Sequence, residues 1–155
     1  MLKSYVLGAL AALVVAGVAL PAQAQVLNAV YRGTLVCAEL PFSGVRLRGA
    51  IEVTIAEGAA RYNHVVRLNR SVDRTIERGT GTLTARTIAL QGEWQHGAHR
   101  YTSNYSGTFV RRSAKLKGTQ TWIEGGKTFT RACSGVIKRP LKAFLPRKGA
   151  KQAGQ

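Results

Sequence analysis

From Gln25 to Lys138 the apolar residues of this chain fall on alternate positions, and that two-residue period points to extended strands. Val45, Leu47, Ile51, Val53 and Ile55 share one parity, with Arg46, Arg48, Glu52 and Thr54 on the other. Glu57-Gly58-Ala59 turns the chain, after which Tyr62, His64, Val66 and Leu68 face inward opposite Arg61, Asn63 and Arg67. The same reading turns Tyr31/Leu35/Cys37, Ile88/Leu90/Trp94, Tyr101/Tyr105/Phe109, Leu116/Trp122 and Phe129/Cys133 toward one interior. Nowhere in this stretch do apolar residues keep a sustained three-four spacing, so no long helix is predicted.

Glycine decides how such strands assemble. Gly33, Gly49, Gly92, Gly107, Gly118 and Gly135 all sit on the inward parity. Flat open sheets have no need of this, whereas strongly coiled sheets bend at glycine and alternate small residues with Trp, Tyr and Phe inside. An internal echo at an offset of 26 residues supports a meander of hairpins. Gly81-Thr82-Leu83, Arg86-Thr87, Leu90 and Gly92 recur as Gly107-Thr108-Phe109, Arg112-Ser113, Leu116 and Gly118. The fold class predicted is all-β: a closed antiparallel meander barrel of about eight strands, with a two-sheet sandwich as the alternative.

Cys37 and Cys133 are the only cysteines and lie near the two ends of the patterned region. Without a C-x-x-C or a neighbouring His, a structural disulfide is favoured over a redox pair or metal ligands. Joining first strand to last would fasten the seam of a barrel. Closing so long a loop contributes at most roughly 4–5 kcal/mol through the unfolded chain.

Lys3, the uncharged run Val6–Leu20, Pro21 and Ala22-Gln23-Ala24 form a secretory signal peptide over residues 1–24, cleaved before Gln25. The alternative of a retained anchor asks for an apolar run of about 20 residues, longer than this one. The expected destination is the periplasm or the medium. Residues 25–138 then form one barrel domain, and 139–155 a basic tail for which composition predicts disorder beyond Pro146.

Strand number, size and meander order resemble the calycin type of small barrel, which includes lipocalins and avidins. Their G-x-W element has a counterpart in Gly92-Glu93-Trp94, which here lies mid-chain, while the first strand carries Gly33-Thr34-Leu35. The resemblance implies a barrel around one small ligand and brings no binding residues with it. In overall style the chain is also similar to small exported bacterial all-β proteins.

Chemistry is sparse. No nucleophile elbow, zincin helix, phosphate loop or dinucleotide fingerprint is present, so no catalytic residue is assigned and a non-catalytic binding module is expected. His96-Gly97-Ala98-His99 reads as a hairpin loop; Arg100 follows and no third ligand is adjacent, so no metal or other cofactor is expected. His64 and Gln120 are polar residues on the inward parity, forming either a hydrogen-bond network or a lined pocket.

Charge is the least ordinary feature. Lys and Arg number 23 against 7 Asp and Glu, and loss of residues 1–24 removes only Lys3. Arg46, Arg48, Arg61 and Arg67 share the outward parity of the second and third strands, with Arg48 and Arg67 placed nearly opposite each other by the intervening turn. Lys138, Arg139, Lys142, Arg147, Lys148 and Lys151 make the tail basic. The expected function is contact with envelope polyanions such as lipopolysaccharide through this face and tail. A small-ligand carrier using His64 and Gln120, and a secreted inhibitor or partner scaffold, are the alternatives. The inward parity of Tyr62, Trp94, Tyr101, Tyr105 and Trp122 argues against base stacking, so no specific nucleic acid is expected. A monomer that does not span a membrane completes the expectation.

Overall fold

The computed structural model describes residues 27–41, 46–67 and 74–140. Eight strands follow in order: β1 (Ala29–Cys37), β2 (Leu47–Ala56), β3 (Ala59–Arg67), β4 (Arg74–Thr84), β5 (Thr87–His96), β6 (His99–Val110), β7 (Ser113–Glu124) and β8 (Lys127–Lys138). Each pairs antiparallel with the next, and β1 pairs with β8 from Arg32↔Lys138 to Cys37↔Cys133. That last ladder closes the sheet, and a sandwich would leave it unformed. The signal segment 1–24, the tail from residue 141, and Val45 and Leu68 lie outside the described residues.

Period-two patterning translates directly into the wall. On β2 the residues Leu47, Gly49, Ile51, Val53 and Ile55 are buried, and those between them are exposed or half-buried. The echoed segments are the β4–β5 and β6–β7 hairpins, whose turns place Ala85 and Arg111 at the same left-handed backbone angle, φ 53° and 55°. Cys37 and Cys133 are bonded across the β1–β8 seam at directly paired positions.

The up-and-down order gives the barrel two distinct ends. The β2–β3, β4–β5 and β6–β7 turns gather at the end where β1 begins and β8 finishes, here called the terminal end. The β1–β2 connection and the β5–β6 and β7–β8 turns gather at the far end. Toward the terminal end the interior is apolar, with Val53, Ile55, Ile88, Leu90, Leu116 and Ile137 all buried. Tyr31 packs on Phe109 there, ring centroids 4.8 Å apart, and its hydroxyl donates to the Leu27 carbonyl at 3.0 Å. Toward the far end the interior turns polar, and that half holds the chemistry.

Candidate functional site

Glu77 lies inside the barrel on β4, wholly buried. A carboxylate out of water is stable only when donors surround it, and three strands supply them. Tyr62 Oη on β3 and Ser103 Oγ on β6 donate to Oε1 at 2.6 and 2.5 Å. His64 Nδ1 on β3 and Tyr101 Oη on β6 donate to Oε2, each at 2.7 Å. Tyr105 Oη and Gln120 Nε2 complete the shell at 3.3–3.4 Å.

Burial is the largest single influence on Glu77 and pushes its carboxyl pKa up. The bond and field of His64, with the Ser103 and Tyr62 hydroxyls, together outweigh it and leave the group below its ordinary value. The phenols respond in the opposite sense. Burial first, and the Glu77 charge second, hold Tyr62, Tyr101 and Tyr105 well above the ordinary phenol range.

Gln120 joins this anion to a buried cation. Its Oε1 accepts from Arg131 Nε and Nη2 at 2.9 and 2.6 Å and from Trp122 Nε1 at 3.3 Å, while its Nε2 donates to Tyr105 Oη at 2.8 Å. The Arg131 guanidinium lies 4.9 Å from the Trp122 ring centroid, and desolvation lowers its pKa. Trp94, Tyr101 and Trp122 pack together toward the far end with centroids 4.6–5.5 Å apart, Trp94 stacked on Tyr101 and Trp122 tilted against both, and Trp94 Nε1 donates to Thr75 Oγ1.

Glycine makes room for the cluster. The Tyr62 ring lies along the inner wall, over its direct partner Gly79 on β4 and the paired Gly92 on β5. A Cβ on Gly92 would stand 2.0 Å from the Tyr62 hydroxyl, and one on Gly79 would stand 2.2 Å from its ring. Neither position tolerates a side chain while Tyr62 reaches Glu77.

His64 and Glu77 make the acid-imidazole half of a nucleophile triad, but the other half is not built. A triad places its hydroxyl on the second ring nitrogen. Ser103 binds the carboxylate instead, and His64 Nε2 has no partner. That nitrogen is pressed against Gly49, where a Cβ would stand only 2.6 Å away.

His64 and Gln120 are therefore brought together, both engaged with Glu77. Sequence reading missed Glu77 and Arg131. At the far end, His96 and His99 flank the two-residue β5–β6 turn; His99 Nδ1 donates to Glu124 Oε2 at 2.6 Å and His96 stacks on Trp94.

On the outside, the four expected arginines lie on or next to the neighbouring strands β2 and β3. Arg46 lies before β2 and pairs with Glu39 at 3.5 Å. The β2–β3 ladder ends at Ile51↔His64, and the same register continued sets Arg48 level with Arg67. On its other side Arg67 is paired with Arg74 on β4, like charges directly opposite. Arg61 faces Thr80, one step along β4 from Arg78, and Arg100 lies two strands further on. Two adjoining grooves of ≈ 660 and ≈ 630 Å³ share Arg78 and Glu93, the first including Arg61 and the second Arg100, Ile76 and Ile123. Among the described residues no ion pair holds Arg48, Arg61, Arg67, Arg74, Arg78 or Arg100. Of the expected tail site, Lys138 ends β8 and Arg139 follows it, whereas Lys142, Arg147, Lys148 and Lys151 lie outside the described residues.

No protein-family model matches the chain, and no curated protein matches it either.

Proposed function

We propose that this chain is an exported, non-catalytic binding module whose outer β3–β6 wall engages polyanions of the cell envelope. The observation that carries the reading is the Arg67–Arg74 pair. Directly opposed like charges on an antiparallel ladder destabilise it by a few tenths to about 1 kcal/mol, and no carboxylate of the described chain neutralises them. A multivalent anion would supply counter-charge to the pair. Arg61 and Arg78, diagonal neighbours on the same strands, add two further cations about 13 Å along β4, where Glu93 stands opposite Arg78 on β5. Arginine suits the task because its planar fork meets phosphate, sulfate or carboxylate oxygens two at a time.

The interior supports the same reading. His64 and Gln120, the residues a carrier would use to orient a ligand, donate to Glu77, and Gln120 also accepts from Arg131. Export agrees with the disulfide, which persists in oxidising compartments.

Binding of a heparin fragment, used as the probe polyanion, tests the proposal. Affinity should fall steeply and log-linearly with salt, and Arg67→Gln with Arg74→Gln should make that slope shallower, by roughly one unit per contact removed. Salt-insensitive binding, or an unchanged slope in the double variant, refutes it.

A further inference from the structure

Charge is distributed unevenly between the two ends of the barrel, and the terminal end carries an excess the β3–β6 wall does not involve. Arg86 comes from the β4–β5 turn, Arg111 and Arg112 from the β6–β7 turn, and Lys138 and Arg139 from the close of β8. Backbone bonds knit them into one platform: Phe109 N donates to the Arg86 carbonyl at 2.8 Å and Arg139 N to the Arg112 carbonyl at 2.9 Å. Among the described residues the turns of this end hold one carboxylate, Glu57.

An apolar residue stands on the same platform. Val110, just before Arg111, is 67% exposed, the most exposed of the large hydrophobic residues in the described chain. The chain then continues from this end into residues 141–155, which add Lys142, Arg147, Lys148 and Lys151, the apolar Leu141, Phe144 and Leu145, and no acidic residue. Cations ringing an apolar tip, continued by a basic and apolar segment, match the two signals that hold a protein on a charged bilayer. Apolar groups enter the headgroup boundary, and basic groups meet anionic lipid. A soluble polyanion would give Val110 nothing to bury against.

We propose that the terminal end of the barrel docks on an anionic phospholipid surface, with Val110 entering the headgroup layer and Arg86, Arg111, Arg112, Lys138 and Arg139 contacting lipid phosphates. The start of β1 and the close of β8 then face the bilayer, and the β3–β6 wall stands clear of it. This docking uses other residues than the polyanion site and stands or falls separately.

The test is co-sedimentation of the disulfide-intact chain from Gln25 with phosphatidylcholine vesicles, with and without phosphatidylglycerol. Partitioning should require phosphatidylglycerol and weaken with salt. Each cation near an anionic surface multiplies partitioning about five-fold, so Arg111→Gln with Arg112→Gln should lower it about 25-fold. Arg67→Gln with Arg74→Gln should leave vesicle partitioning unchanged while weakening heparin binding. Val110→Trp gives a second readout: its emission should shift to the blue and be quenched by brominated phosphatidylglycerol vesicles, the native Trp94 and Trp122 being buried. Three results would overturn the proposal. These are equal partitioning to neutral vesicles, equal losses from the two double variants, and a Val110→Trp emission indifferent to lipid.

Discussion

Removing the charge of Glu77 while keeping its shape isolates the interior network. In Glu77→Gln one carboxylate oxygen becomes an NH2, which cannot accept. The side that can adapt is Oε1, where the Tyr62 and Ser103 hydroxyls are free to rotate and accept; on the Oε2 side His64 Nδ1–H is fixed by its ring. Four short bonds fall from charge-assisted to neutral strength, a loss of roughly 1 kcal/mol each. Relief from burying a charge offsets part of this, so a net loss of about 2–3 kcal/mol is expected. Glu77→Ala strands His64 Nδ1–H and the Tyr101 hydroxyl, leaves Tyr62 and Ser103 to pair with each other at 2.8 Å, and opens a cavity, and should cost about 4–6 kcal/mol.

The assay is urea unfolding of the oxidised chain across pH. Because the native Glu77 pKa lies below its ordinary value, the unfolded state binds more protons between the two values. The stabilisation is complete above the unfolded carboxylate value near pH 4.3 and is lost as pH falls through the native one. Glu77→Gln should flatten that acid limb. A Gln variant as stable as the parent with an unaltered acid limb would refute the reasoning, since Glu77 would then not be the charged centre of the network.

Gly92→Ala should destabilise by about 2 kcal/mol or more, because the new Cβ meets Tyr62 Oη and the Arg78 carbonyl. Urea midpoints read it against Gly97→Ala, whose site has nothing within 4 Å but a φ of 59°, and which should cost about 1 kcal/mol. Ultraviolet titration of the chain from Gln25 should show no phenolate near pH 10, since all four of its tyrosines are raised, burial being the first cause in each. Their protonated forms stabilise the fold below that pH, and the contribution is lost as pH rises past it, so ionisation should coincide with unfolding. Reduction of Cys37–Cys133 should lower stability by up to about 4–5 kcal/mol by denaturant titration. Arg67→Thr should raise stability by a few tenths to about 1 kcal/mol while weakening heparin binding, because the opposed pair is relieved.

Much of the wall was legible because its patterning is binary. Inward apolar residues on β1 to β3 and β5 to β8 sit where parity put them, and the glycine parity and cysteine spacing anticipated the closed seam. β4 was the exception. Its interior positions are Thr75, Glu77, Gly79, Gly81 and Leu83, only one of them large and apolar, so alternation carries no signal there. Hairpin arithmetic held the missing clue: the Ala85-Arg86 turn sets Gly79 opposite Gly92 and Glu77 level with Trp94. Arg131 was open to the same logic, lying between the inward Phe129 and Cys133. A basic residue draws the eye to the surface, and only the partner residues show that this one is buried. On the outer face the β2–β3 ladder runs from Ala56↔Ala59 to Ile51↔His64, and the same register carried three residues further sets Arg48 level with Arg67.

The most direct measurement is a side-chain NMR titration of the chain with a heparin fragment, following arginine Nε–H, His64 and Gln120 signals together. Perturbations are expected at Arg61, Arg67, Arg74, Arg78 and Arg100, with the His64 and Gln120 resonances unmoved inside the barrel. Shifts concentrated at His64 and Gln120, with the outer arginines silent, would contradict a closed interior and a wall that binds.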